Sequence, residues 1–80
     1  MEYEKASDIL QKMHDRTVAD AENKEQRLAQ LNAEYAAGDT STDTIAGIKL
    51  FTSRGVKLRA EAEALNVAIE ALWRLEQLDK

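Results

Sequence analysis

Eighty residues make one small domain, and a chain this short rarely buries a core worth more than about 3–5 kcal/mol without disulfides, metal or association. Cysteine is absent and histidine occurs once, which excludes a disulfide framework and leaves no obvious structural metal site, so association is the expected source of stability. A formal charge of −4 argues against nucleic acid or an anionic membrane as the main partner.

The chain starts Met1-Glu2-Tyr3-Glu4-Lys5, acidic and with no apolar run behind it, which reads as neither signal peptide nor presequence. No stretch approaches the roughly 20 apolar residues of a membrane span. The expectation is a soluble, cytoplasmic chain. Proline is absent and glycine occurs three times, a composition that favours long helices.

From Tyr3 to Ala37 nothing interrupts a helix. Apolar or tolerated residues recur at Tyr3, Ala6, Leu10, Met13, Thr17, Ala21, Lys24, Leu28, Leu31 and Tyr35, in steps of three and four that describe a packing seam. The seam is thin around Thr17, Ala21 and Lys24, so a short separate N-terminal helix with a break near Asp15–Asn23 is the alternative to one continuous helix over about 3–37. Gly38 fits the left-handed residue that closes a helix. Residues 38–41 then form a turn in which Thr40 (with Asp43 three positions on), Ser41 or Thr42 can each cap the next helix. That second helix is expected over about 42–78.

Two helices of similar length joined by a short turn fold back antiparallel. If the turn centres near position 40, facing residues have numbers totalling about 79. The first seam then meets Ile45, Ile48, Phe51, Gly55, Leu58, Ala62, Leu65, Ile69, Leu72 and Leu75, all apolar or small. Lys24 falls opposite Gly55, where its methylene stem can lie over bare backbone. Gly55 costs about 1 kcal/mol relative to alanine; it predicts close helix approach or a slight kink, the alternative being a separate short helix over Ile45–Arg54. The fold class is therefore all-α, an antiparallel two-helix hairpin over residues 1–80 that associates into a helical bundle.

The C-terminal third carries more apolar surface than a hairpin uses. Besides the seam ridge, a second ridge runs through Ala60, Ala64, Val67, Ala71, Leu75 and Leu78. At about 100° per residue the two cover roughly 220° of the helix circumference, against the stripe of about 100° that an ordinary surface helix needs. The second ridge is the candidate partner-binding surface. Trp73, at the border of the polar strip, either closes the hairpin's open end against Tyr3 or Ala6 or joins that surface as an anchor.

Catalytic chemistry finds no foothold. His14 has no second ligand, its neighbour Asp15 diverges from it by about 100° around the helix, and it is expected on a solvated flank. The serines sit in no nucleophile elbow and no glycine-rich phosphate loop is present. No enzyme, cofactor or metal is implied. Lys49, Arg54, Lys57 and Arg59 form one basic stretch, readable as an anion or nucleic-acid contact in a small phage-type inhibitor or ligand-binding protein. The simpler reading sets Arg54, Lys57 and Arg59 roughly opposite Glu25, Glu22 and Asp20 as flanking ion pairs that select the antiparallel arrangement. A structural homo-oligomer, two hairpins making a four-helix bundle, is a third reading.

Leu28, Leu31 and Tyr35, the Ala36-Ala37-Gly38 turn and the run Ala64-Leu65-Asn66-Val67-Ala68-Ile69-Glu70-Ala71-Leu72 together resemble the small E-type (YscE-like) co-chaperones of bacterial type III secretion. The likeness covers roughly residues 28–75; the chain departs from it by a longer N-terminal arm, a longer Thr/Ser-rich turn and Asn66 where the family tends to an acid. The resemblance implies a cytoplasmic adaptor that binds and stabilises a tetratricopeptide-like chaperone. That chaperone holds the needle subunit and prevents its premature polymerisation. On this implication the partner-binding residues are Ala60, Ala64, Val67, Ala71, Trp73, Leu75 and Leu78; for the chain alone, a monomer and a homodimer both stay open.

Overall fold

A computed structural model describes residues 2–79. Helix α1 runs Glu2–Ala36 and helix α2 runs Thr42–Leu78, both unbroken, and they pack on each other as a hairpin. The early break near Asp15–Asn23 and the break at Gly55 do not occur.

The turn is built from local chemistry. Gly38 takes φ 111°, the left-handed conformation that glycine adopts without steric cost. Its N–H donates to the Tyr35 carbonyl while the Asp39 N–H donates to the Glu34 carbonyl, a Schellman ending that satisfies carbonyls α1 would otherwise leave open. Ser41 is the N-cap of α2, its Oγ accepting from the Thr44 N–H at 3.3 Å and donating to Thr44 Oγ1 at 3.0 Å. Asp39 ties the two helix ends together: one carboxylate oxygen accepts from the Ser41 N–H and the other from the Thr44 hydroxyl. Thr44 is thereby buried with its hydroxyl satisfied.

Between the helices the interior positions follow a strict seven-residue repeat. On α1 they are Tyr3, Ser7, Leu10, His14, Thr17, Ala21, Lys24, Leu28 and Leu31; on α2 they are Thr44, Ile48, Phe51, Gly55, Leu58, Ala62, Leu65, Ile69, Leu72 and Glu76. Steps of three and four alternate without a slip, the spacing of a left-handed supercoil. The antiparallel register matches the one the turn implies, with Leu31 against Gly47 and Glu25 beside Gly55.

The strict repeat displaces several expected seam residues. Met13 and Leu75 are 47 % and 45 % exposed, and Tyr35 and Ile45 also stand at the surface; His14, Glu76 and Thr44 take the neighbouring interior positions. The physical reason is phase. Met13–Thr17–Ala21 would take two consecutive steps of four and break the alternation that keeps the 3.5-residue period of supercoiled helices, whereas His14–Thr17–Ala21, three then four, keeps it. At the turn, the Asp39–Ser41–Thr44 hydrogen bonds hold Thr44 inward and so carry Ile45 out. His14 is consequently not a solvated flank residue: its side chain is 24 % exposed.

The glycines also trade roles. A Cβ on Gly47 would lie 2.9 Å from Leu31 Cδ1, so this is where a side chain and a helix backbone meet closely. A Cβ on Gly55 would meet only Glu25 Cγ, at an ordinary 3.9 Å. The Lys24 stem is not among the atoms within that reach; its ammonium instead bonds Asp20 one turn back, at 2.8 Å. Close helix approach at mid-hairpin does hold, since Ala21 and Ala62 are two of the three buried apolar residues among the described ones, with Leu31 the third.

The resulting particle is a rod of 61 × 14 × 14 Å with a radius of gyration of 17.9 Å, against roughly 12 Å for a compact domain of this length. No large side chain is fully buried among the described residues. Two helices supply a seam but not a core.

Candidate interaction surface

Every residue of the expected second ridge, Ala60, Ala64, Val67, Ala71, Leu75 and Leu78, is exposed on α2. Trp73 is 63 % exposed, so most of its ring lies in solvent rather than sealed against the hairpin end. It stands seven residues from Asn66 and fourteen from Arg59, on the same edge of α2 as both. That edge is about 120–160° around the helix from Val67 and Ala71. Trp73 and the apolar ridge therefore do not form one surface.

The ridge itself resolves into a second heptad seam. Ala64, Ala68, Ala71, Leu75 and Leu78 follow one another at steps of four and three, beside the inner seam and in the same phase. On α1, Ala6, Ile9 and Met13 continue it with the same spacing. The two helices present these residues on one side, because Met13 and Thr17 line a shallow groove of about 380 Å³ together with Glu61, Ala64 and Leu65. The apolar flank is thus formed by both helices, at the open end of the hairpin, where a single-helix reading finds only the α2 part. On spacing alone Met13 falls in the inner seam and Ile9 in none. A large aliphatic residue that fits no seam, four positions before a methionine, is the signal that could have located this half.

The basic stretch does not converge. Arg59 lies on the opposite flank from the groove and makes a two-pronged ion pair with Glu25, Nε to Oε2 at 2.9 Å and Nη2 to Oε1 at 2.6 Å. This pairing, rather than Arg54 with Glu25 and Arg59 with Asp20, is the interhelical bridge. It holds the Glu25 carboxyl below its ordinary range and raises Arg59. Arg54 and Lys57 share a groove with Lys24, Asp20 and Glu61, where acids already offset the charge. Lys49 is away at the turn end beside Tyr35 and Ile45.

Two other carboxylates sit low. Asp15 accepts from Gln11 Nε2 at 3.0 Å and approaches His14 Nδ1 at 3.3 Å, and the Gln11 bond is the larger cause of its lowered pKa. Adjacent positions on a helix thus do reach each other here. Asp39 is lowered by its hydrogen bonds from Ser41 first and Thr44 second.

Among the described residues no group of three or more His, Cys, Asp or Glu side chains is placed to hold a metal ion, and no helix is long and apolar enough to cross a membrane. What the arrangement offers is an exposed apolar face of heptad spacing, small residues bracketed by Ile9, Met13, Leu75 and Leu78. Comparison with protein-family models, curated proteins and solved structures finds no match to this chain.

Proposed function

We propose that the chain is a protein-binding helical hairpin that completes its core on the helices of a partner. The observation that carries this reading is an uncovered second heptad seam on a molecule whose own buried core amounts to Ala21, Leu31 and Ala62. Apolar flanks of this kind mark interaction sites, and the heptad spacing selects helices as the complementary shape. Following the resemblance of residues 28–75, the partner is a tetratricopeptide-like chaperone that holds a type III needle subunit. The hairpin's role there is cytoplasmic stabilisation of that chaperone, with only an indirect hold on the needle subunit. The rival reading of an anion-binding protein loses its support from charge convergence, since Arg59 is engaged by Glu25 on one flank while Arg54 and Lys57 face acids on the other.

Titration of the purified chain against the purified needle chaperone, read by calorimetry, tests the proposal. Leu75→Asp and Val67→Asp are expected to abolish binding with little change in far-ultraviolet helicity, and Trp73→Ala to leave it intact. Undiminished binding by Leu75→Asp would exclude the flank as the site; no binding by the wild-type chain would exclude this partner.

A further inference from the structure

The charges of the hairpin are sorted by side. Lys5 and Lys12 stand at i−4 and i+3 from Ile9 and Arg16 at i+7, on the side of Ile9 away from Met13. On α2, Arg74 stands at i−4 from Leu78 and i+3 from Ala71, on the side away from Leu75. These bases border the apolar flank along its outer edges. All are exposed, and among the described residues none makes an ion pair within the hairpin. The acids lie elsewhere. Asp8, Asp15, Glu63 and Glu70 come one residue before Ile9, Arg16, Ala64 and Ala71, which turns each about 100° away from the flank, toward the edge that holds Glu25 and Arg59. The flank's own acids, Glu2 and Glu61, stand at its two ends, and Glu61 shares a groove with Arg54 and Lys57. A chain of net charge −4 thus carries its open apolar strip inside a basic border.

From this sorting we infer that the flank is covered by an acidic amphipathic helix of another protein, with an apolar heptad seam and Asp or Glu beside it. The inference rests on the proposed reading of the flank as a helix-binding surface and adds the charge of the partner. A helix seated on Ala64, Ala68, Ala71 and Leu75 turns the positions beside its own seam toward Lys5, Lys12, Arg16 and Arg74, and carboxylates there find unpaired cations. Such complementarity speeds encounter and selects partner and register. A second copy meeting this flank through its own would set one basic border against the other, which costs free energy. An anionic membrane would also answer the bases, but alanines at heptad spacing suit a close helix and offer lipid little apolar surface, where interfacial helices present Trp, Phe and Leu.

The probe is a synthetic peptide about four heptads long, with leucine along its seam and glutamate at the positions beside it. A twin carries lysine at those flanking positions, and each is titrated into the full chain by calorimetry. The glutamate peptide is expected to bind about tenfold or more tightly than its twin, and to weaken as salt is raised. Lys12→Glu/Arg16→Glu is expected to weaken the glutamate peptide about tenfold, because both are border charges, with helicity by circular dichroism unchanged. Glu63→Gln/Glu70→Gln, on the far edge, is expected to leave the ranking of the two peptides as it is. Equal binding of the peptides, preference for the lysine twin, binding of neither, or binding of phosphatidylserine–phosphatidylcholine vesicles in place of the glutamate peptide would each overturn the inference. A needle chaperone whose binding is lost in Leu75→Asp but unchanged in Lys12→Glu/Arg16→Glu would sink only this inference. A chain that prefers the glutamate peptide yet binds no needle chaperone would sink only the chaperone reading.

Discussion

Replacing Gly55 with alanine is expected to stabilise the hairpin, and Gly47 provides the control. Both glycines lie inside α2, so both forgo roughly 1 kcal/mol of helix propensity relative to alanine. At Gly55 a methyl group would enter ordinary van der Waals contact with Glu25 Cγ at 3.9 Å and displace nothing. The propensity gain should therefore appear in full, as a rise in melting temperature of about 4–8 °C for a domain of this size. At Gly47 the same methyl would lie 2.9 Å from Leu31 Cδ1, and Leu31 is one of the three buried apolar residues. The leucine must shift, which consumes part or all of the gain. Thermal melts of the two variants and the wild type at one fixed protein concentration measure the difference, concentration mattering because association shifts the transition. A Gly55→Ala chain that melts at or below the wild-type temperature, or below Gly47→Ala, would refute the packing described for α2.

His14→Leu is expected to raise stability by about 1 kcal/mol, because the strict repeat places this position in the inner seam where a leucine would be buried; Met13→Leu should be close to neutral, and the reverse ranking in denaturant melts would show the seam to run through Met13. Ser41→Ala is expected to cost about 1 kcal/mol through loss of the α2 cap, read as a lower denaturation midpoint with unchanged slope. Asp15, Glu25 and Asp39 all have folded pKa values below their ordinary ones, so their contribution is complete above the unfolded carboxylate range and lost as pH falls through the lowered folded values. Melting temperature should accordingly fall below about pH 4, and Glu25→Gln with Asp39→Asn should flatten that acid limb.

Much of the candidate surface was legible on α2 and little of it on α1. Ala64, Ala71, Leu75 and Leu78 announce themselves by exceeding what one seam can bury, a property of a single helix that spacing alone reveals. Ile9 and Met13 do not, because an aliphatic residue on α1 is assigned inward or outward only by the phase of the seam it neighbours. The residue type of Trp73 admits either the hairpin end or the ridge, whereas the angle it makes with Val67 sets it on the Arg59 edge.

The sequence by itself determined two long helices, the turn between them and the antiparallel register. Each follows from local physics: uninterrupted helix formers, Gly38 in its left-handed conformation, a capping residue after it, and two arms of similar length. Only the tertiary structure decided that His14, Thr44 and Glu76 lie inward while Met13, Ile45 and Leu75 lie outward, and that Gly47 rather than Gly55 marks the close contact. Supercoiling is a property of the helix pair, and the shared 3.5-residue period moves a side chain across the seam boundary where one-helix hydrophobicity would leave it inside. The same phase leaves the second seam, Ala64, Ala71, Leu75 and Leu78 with Ile9 and Met13, exposed on the flank of the hairpin.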